Sequence, residues 1–208
     1  MKFITKHGFT LAEVMVTISI VSIIMTVVLF SYREFSDKLA LSAAGQEIAI
    51  AIRQAQTYGL SVKEVVSGGG NFDSAYGIYF DSTNNNTNKN YYIFADAPIA
   101  LPNPIGNKEY DVLSGCGSGS TECVEKFTLR DGVFISSISD CPAARSMHIT
   151  FFRPNPDAYI KFLNNGNQPA CSTANSGADS GGIVLESPKG KKLTLTILNT
   201  GQVSIVTP

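Results

Sequence analysis

Gly8, Phe9 and Glu13 are the residues whose types and spacing could do chemistry, in the segment Lys6-His7-Gly8-Phe9-Thr10-Leu11-Ala12-Glu13-Val14. Glu13 is the only charge between Phe9 and Phe30. A carboxylate in such a run costs about 2.5–3.5 kcal/mol on membrane-insertion scales, so one kept there calls for a partner. Gly8 stands directly before the run, and a residue without Cβ lets an enzyme approach the backbone closely. A cut after Gly8 would leave Phe9 carrying a new α-ammonium, about one helical turn before Glu13. That ammonium can pair with Glu13 of its own chain or of a neighbour packed one step along.

The remaining inventory argues against catalysis. The 208 residues include only two histidines, His7 and His148, and no tryptophan. That is too little for a His-based catalytic cluster or a His-rich metal site. No nucleophile, base and oxyanion-hole constellation, P-loop or dinucleotide fingerprint is present, so neither an enzyme nor a cofactor or metal is expected. Sixteen basic and 17 acidic side chains leave a net charge of -1, without the electrostatic footprint of a nucleic-acid binder. Lys189, Lys191 and Lys192 form a small basic cluster. Three lysines contact too few phosphates to hold DNA unaided, so a solvated turn is the preferred reading and a DNA contact the lesser one. Asp81, Asp157 and Asp179 lie near Asn and Gly but form no EF-hand loop, which favours turn chemistry over calcium. Asn85-Asn86-Thr87 is a formal glycosylation sequon. His148, between Met147 and Ile149, reads as structural.

The elements that must position these residues begin with the apolar run. Twenty-two residues from Phe9 to Phe30 span roughly 33 Å as a helix, about the hydrocarbon thickness of a bilayer. Lys2 and Lys6 precede the run without an acid, which keeps the N-terminus cytoplasmic and sends the larger part outward. Cys116, Cys123, Cys141 and Cys171 all fall in that outward part, and an even count there favours disulfides. Cys116–Cys123 with Cys141–Cys171 is the favoured one of three connectivities, and zinc lacks a CxxC spacing.

The helical pattern continues to about residue 58. Leu41, Ile48, Ala55 and Val62 recur every seventh position, interleaved with Ala44, Ala51 and Tyr58, one apolar stripe seated on something else. Gly59 and Ser67-Gly68-Gly69-Gly70 are expected to end it. Nine short runs then read as strands: 76–80, 91–94, 126–129, 133–135, 148–152, 159–162, 183–186, 192–198 and 203–205. Asn199-Thr200-Gly201 and Arg130-Asp131-Gly132 are each expected to close a hairpin, and the stretch 84–90 to be an exposed loop tip. One long helix followed by antiparallel strands is an α+β fold.

The segment around Gly8 resembles the class III signal of type IV pilins and type II secretion pseudopilins, with Gly8, Phe9, Thr10, Leu11 and Glu13 all matching. The helix end Ala51-Ile52-Arg53-Gln54-Ala55-Gln56-Thr57-Tyr58-Gly59, then Tyr76-Gly77-Ile78-Tyr79-Phe80 and the closing Gly201-Gln202-Val203, is similar to the GspH/FimT-type minor pseudopilins. The resemblance implies cleavage between Gly8 and Phe9 by prepilin peptidase, N-methylation of Phe9 and an assembly salt bridge from Glu13. It also implies other pilin or pseudopilin subunits, an inner-membrane assembly platform and, before assembly, membrane lipid as partners. Four segments follow: leader 1–8, membrane-spanning half 9–30, amphipathic half 31–60 and β-rich head 61–208. The implied location is the cytoplasmic membrane with an extracytoplasmic head, then the pilus or pseudopilus. The implied role is a minor pilin or pseudopilin. The alternatives are the major shaft subunit and a membrane-anchored DNA- or ligand-binding minor pilin used in DNA uptake. Two departures stand out: the membrane half holds Ser19, Ser22 and Thr26 but neither Gly nor Pro, and the closing turn carries Gln202 where some DNA-binding members have arginine.

Overall fold

A computed structural model of the chain describes residues 8–61, 74–83, 88–96, 106–110, 116, 122–164, 168–171 and 177–206. Its first element is the α-helix α1, Leu11–Leu60, and nine strands follow: β1 Ala75–Asp81, β2 Asn90–Asp96, β3 Cys123–Thr128, β4 Phe134–Ile138, β5 Ser146–Phe152, β6 Asn155–Leu163, β7 Ser180–Glu186, β8 Lys192–Leu198 and β9 Val203–Val206. The chain divides into two compact units, with the boundary within α1 between Leu39 and Ala40.

The first unit is helix alone among the described residues, and its large apolar side chains are exposed from Leu11 to Leu39. Its hydroxyls fold back on the helix. Thr17 donates to the Val14 carbonyl at 2.9 Å, Ser19 to Met15 at 2.8 Å and Thr26 to Ser22 at 2.9 Å. Each donor is thereby satisfied within the helix, as a segment surrounded by hydrocarbon requires.

The second unit is α+β. Its helical part buries Leu41, Ala44, Ile48, Ala51, Ile52 and Ala55 in one core cluster shared with both sheets. The first sheet has the order β3-β2-β1-β5-β6 and the second β4-β7-β8-β9, with every pairing antiparallel. Period-two alternation sends Ile78, Phe80, Ile93 and Ile149 into the core from the first sheet, and Ile183, Leu185, Leu195 and Ile197 from the second. Fully burying each such side chain stabilises the fold by roughly 1.5–3 kcal/mol.

Three local expectations are corrected. Gly59 does not end α1, which runs on to Leu60. A Cβ at Gly59 would lie 2.6 Å from the Phe151 carbonyl oxygen, so the glycine serves close packing of the helix on β5. Arg130-Asp131-Gly132 does form a tight turn, with φ of 55° at Asp131 and 72° at Gly132 and the Val133 N–H donating to the Arg130 carbonyl at 3.0 Å. It closes no hairpin, however: β3 pairs with β2 and β4 with β7. Leu129, Val133 and Ile135 are all buried, so the chain passes through the core edge into the second sheet instead of doubling back. The third correction concerns 84–90. Asn88 is buried with its carbonyl accepting from Ile135 N–H at 2.8 Å, and Asn90 opens β2, while 84–87 lie outside the described residues. The other expected hairpin is present, with Gly201 at φ 78° between β8 and β9.

Candidate functional site in the N-terminal segment

The described part of this segment starts at Gly8, and residues 1–7 lie outside it. A Cβ at Gly8 would meet nothing within 4 Å, so the folded chain itself makes no demand for glycine there. Phe9 is 81% exposed. Thr10 starts the helix: its Oγ1 accepts the backbone N–H of Glu13 at 3.2 Å, and its carbonyl accepts Val14 N–H at 3.2 Å. Thr10 is therefore the N-cap and Glu13 the third helical residue, the T-x-x-E spacing of a capping box. The sequence reading missed this cap although the spacing is legible in it. A carboxylate in the first turn is also favoured by the positive end of the helix dipole. Glu13 is exposed, and among the described residues its carboxylate makes no ion pair.

Residues 5–29 match the family model of the prokaryotic N-terminal methylation motif. The match supports an N-terminus of the type IV pilin or pseudopilin kind. No curated protein and no solved structure matches the chain. The pilin motif lies on a helix with a stretch long and apolar enough to cross a membrane, none of it buried by the rest of the chain. Motif and helix together give a membrane-anchored N-terminus and a pilin-like or pseudopilin subunit. They imply processing by a prepilin peptidase and assembly with other pilin subunits. A motif of this kind points to a structural protein.

The lysines, cysteines, aspartates and His148 singled out in the sequence belong to the second unit. Lys189, Lys191 and Lys192 lie at the exposed β7–β8 turn, where the Lys192 ammonium is 3.6 Å from Glu186. Cys116 is bonded to Cys123, the first residue of β3, and Cys141 to Cys171, whose interval contains β5 and β6. The Asp81 carboxylate accepts Thr83 N–H at 2.7 Å, that of Asp179 accepts the Asn199 amide at 3.5 Å, and Asp157 N–H donates to the Asn155 side chain at 3.3 Å. The first contact is local to a turn, the second joins residues 20 apart and the third lies within β6; among the described residues no group of three His, Cys, Asp or Glu side chains could hold a metal. The sequon 85–87 lies outside the described residues.

His148 is buried on the outer face of the first sheet against the rings of Tyr79 and Phe94. Its Nδ1 accepts the Tyr110 N–H at 2.9 Å, which puts the ring proton on Nε2, 3.4 Å from Ser146 Oγ. Burial first, and the Lys161 ammonium second, push its pKa down to about 3, so it is neutral at pH 7. Tyr110 belongs to a strap, residues 106–110, tied down at several other points. Asp96 accepts Asn107 N–H at 3.2 Å and Lys108 N–H at 2.9 Å, Thr150 donates to the Lys108 carbonyl at 3.2 Å, and Glu109 pairs with Lys161. No sequence spacing announces this strap, because its partners are 11 to 52 residues away.

Proposed function

We propose that the chain is a minor subunit of a type IV pilus or type II secretion pseudopilus, similar to the GspH/FimT type. In this reading residues 1–8 are the leader, 9–30 the membrane-spanning and assembly half of the helix, 31–60 its amphipathic half and 61–208 the head. Prepilin peptidase cuts between Gly8 and Phe9, and Phe9 is N-methylated. The observation that carries the reading is the methylation-motif match at residues 5–29 on a helix whose apolar stretch the rest of the chain leaves uncovered. An unconstrained Gly8 and an exposed Phe9 fit a site presented to an enzyme. The short basic N-terminus stays cytoplasmic and the head faces outward. The four cysteines are then in an oxidising compartment.

Assembly follows from the same residues. Moving the apolar helix from lipid into contact with other such helices is nearly neutral in hydrophobic terms, so register must come from polar contacts. Glu13 pairs with the Phe9 ammonium of a neighbouring subunit and neutralises both charges inside an apolar filament core. The deciding experiment is mass spectrometry of sheared surface filaments. A peptide beginning at N-methylated Phe9, scarce beside another pilin, is expected; as the dominant species it would make this the shaft subunit. An intact leader in the membrane fraction, with no such peptide in filaments, would refute the reading. Glu13→Ala is expected to insert normally and to fall at least about tenfold in filaments, since one lost charge pair of ~1.4 kcal/mol already gives that factor. Normal incorporation of the variant would remove the pairing step.

A further inference from the structure

Where the chain passes from β4 of the second sheet to β5 of the first, three short stretches wall a cleft of about 320 Å³. That volume lies at the small end of ligand sites, roughly 300–1,000 Å³. One wall is the bulged part of β4 with Ser136, Ser137 and Ser139, the second is the turn around Pro142, and the third is Ser82 with Arg145.

Each wall is fixed from behind. The register of β4 on β7 shifts between Ile135 and Ser137, and such a bulge re-aims side chains. Ser139 N–H donates to the Gly182 carbonyl at 2.9 Å, and a Cβ at Gly182 would collide with Ser139 Oγ, so the glycine leaves room for that hydroxyl. The turn is closed by Ala144 N–H on the Cys141 carbonyl at 2.9 Å and anchored by the Cys141–Cys171 bond. Ser82 donates both its N–H, at 2.8 Å, and its Oγ, at 2.9 Å, to the Arg145 carbonyl.

The donors facing the cleft are then unequal. Ser82 and Ser139 have spent their hydroxyl protons, Ser139 on Asp140 at 3.2 Å. Among the described residues the Arg145 guanidinium and the Ser136 and Ser137 hydroxyls have no side-chain partner. The carboxylates adjacent in sequence are hydrogen-bonded elsewhere: Asp140 also accepts from Ser180 at the start of β7 at 2.8 Å, and Asp81 accepts from Thr83. A guanidinium fork and two hydroxyls lining one cleft suit a group that offers several acceptor oxygens and a negative charge.

We propose that this cleft binds a small oxyanion, a phosphate, sulfate or carboxylate group, with Arg145 as the fork and Ser136 and Ser137 as the flanking donors. The site is independent of the assembly reading, since it uses no residue of the helix. The test is calorimetric titration of the full-length chain in neutral detergent, at constant ionic strength, with inorganic phosphate, sulfate, galacturonate and uncharged galactose. Saturable binding of at least one of the three anions is expected, with galactose silent. Arg145→Gln should weaken it tenfold or more and Ser136→Ala/Ser137→Ala about threefold, at unchanged unfolding midpoint. Galacturonate alone binding would mark a carboxylate ligand, and phosphate or sulfate alone a tetrahedral anion. If Arg145→Gln does not fold, the double serine variant decides. Absence of saturable binding by all three anions overturns the proposal, as does an affinity that neither variant changes.

Discussion

Ile24 and Ile48 lie on one helix, yet Ile24 is 56% exposed and Ile48 is completely buried. Their local conformations are alike, so helix formation does not separate them. The difference lies in what surrounds each. Around Ile24 the helix is apolar on every side, which marks a helix meant for a non-aqueous environment. Around Ile48 the apolar residues gather into one stripe, and two sheets of the same chain cover it. Hydrophobicity in the first half is reserved for lipid or other helices, and in the second half it is used at home.

Substitutions in the two halves should therefore separate cleanly. Ile48→Ala is expected to lower the stability of the second unit by about 4 kcal/mol, from lost burial and the cavity left behind. Ile24→Ala should leave the same denaturant midpoint within about 0.5 kcal/mol. Equal effects in chemical unfolding monitored by tyrosine fluorescence would break the comparison.

A pH titration sharpens it from another side, because the described titrating histidine belongs to the second unit. The folded pKa of His148 is depressed to about 3 from 6.5, so the unfolded chain takes up the proton first. Its contribution is complete above about pH 6.5 and is lost as pH falls toward 3. Between pH 7 and pH 4 this amounts to about 3 kcal/mol. His148→Asn keeps an acceptor for Tyr110 N–H but has no proton to bind, so its stability should fall less steeply over that window. Parallel pH profiles for the variant and the parent chain would contradict this account.

Two glycines offer a smaller contrast. Gly59→Ala should cost about 2 kcal/mol, because the new Cβ meets the Phe151 backbone at 2.6 Å. Gly8→Ala should leave unfolding unchanged, there being nothing within 4 Å of the added atom. A purely local effect is expected from Thr10→Ala, which removes the cap of α1 at about 1 kcal/mol. It should appear as faster amide exchange at Glu13 with no shift in the unfolding of the second unit.

Much of the fold was legible because it rests on local pattern. Short β-branched and aromatic runs marked all nine described strands, and the heptad stripe named Leu41, Ala44, Ile48, Ala51 and Ala55. Ile52 escaped that stripe although it is fully buried, because the core cluster that meets the helix holds strands of both sheets and covers more than one row of side chains. The Asp131-Gly132 turn was readable as a turn but not as a crossing, since φ at two residues says nothing about which sheet receives the next strand. Gly59 was misread for a related reason: a glycine near a helix end has two uses, and only the position of Phe151 chooses between them.

What the sequence alone determined is the N-terminal segment, where Gly8, Phe9, Thr10 and Glu13 stand in fixed spacing before an unbroken apolar run. Their meaning depends on contiguity and on the periodicity of a single helix, so no distant residue is needed to read it. Tertiary structure decided which sheet each strand joins, that His148 is buried and neutral with its Nδ1 held by the strap at residues 106–110, and that Arg145, Ser136 and Ser137 line one cleft. Those outcomes arise from contacts between residues far apart in the chain, chosen by burial and by the demand that each buried polar group find a partner.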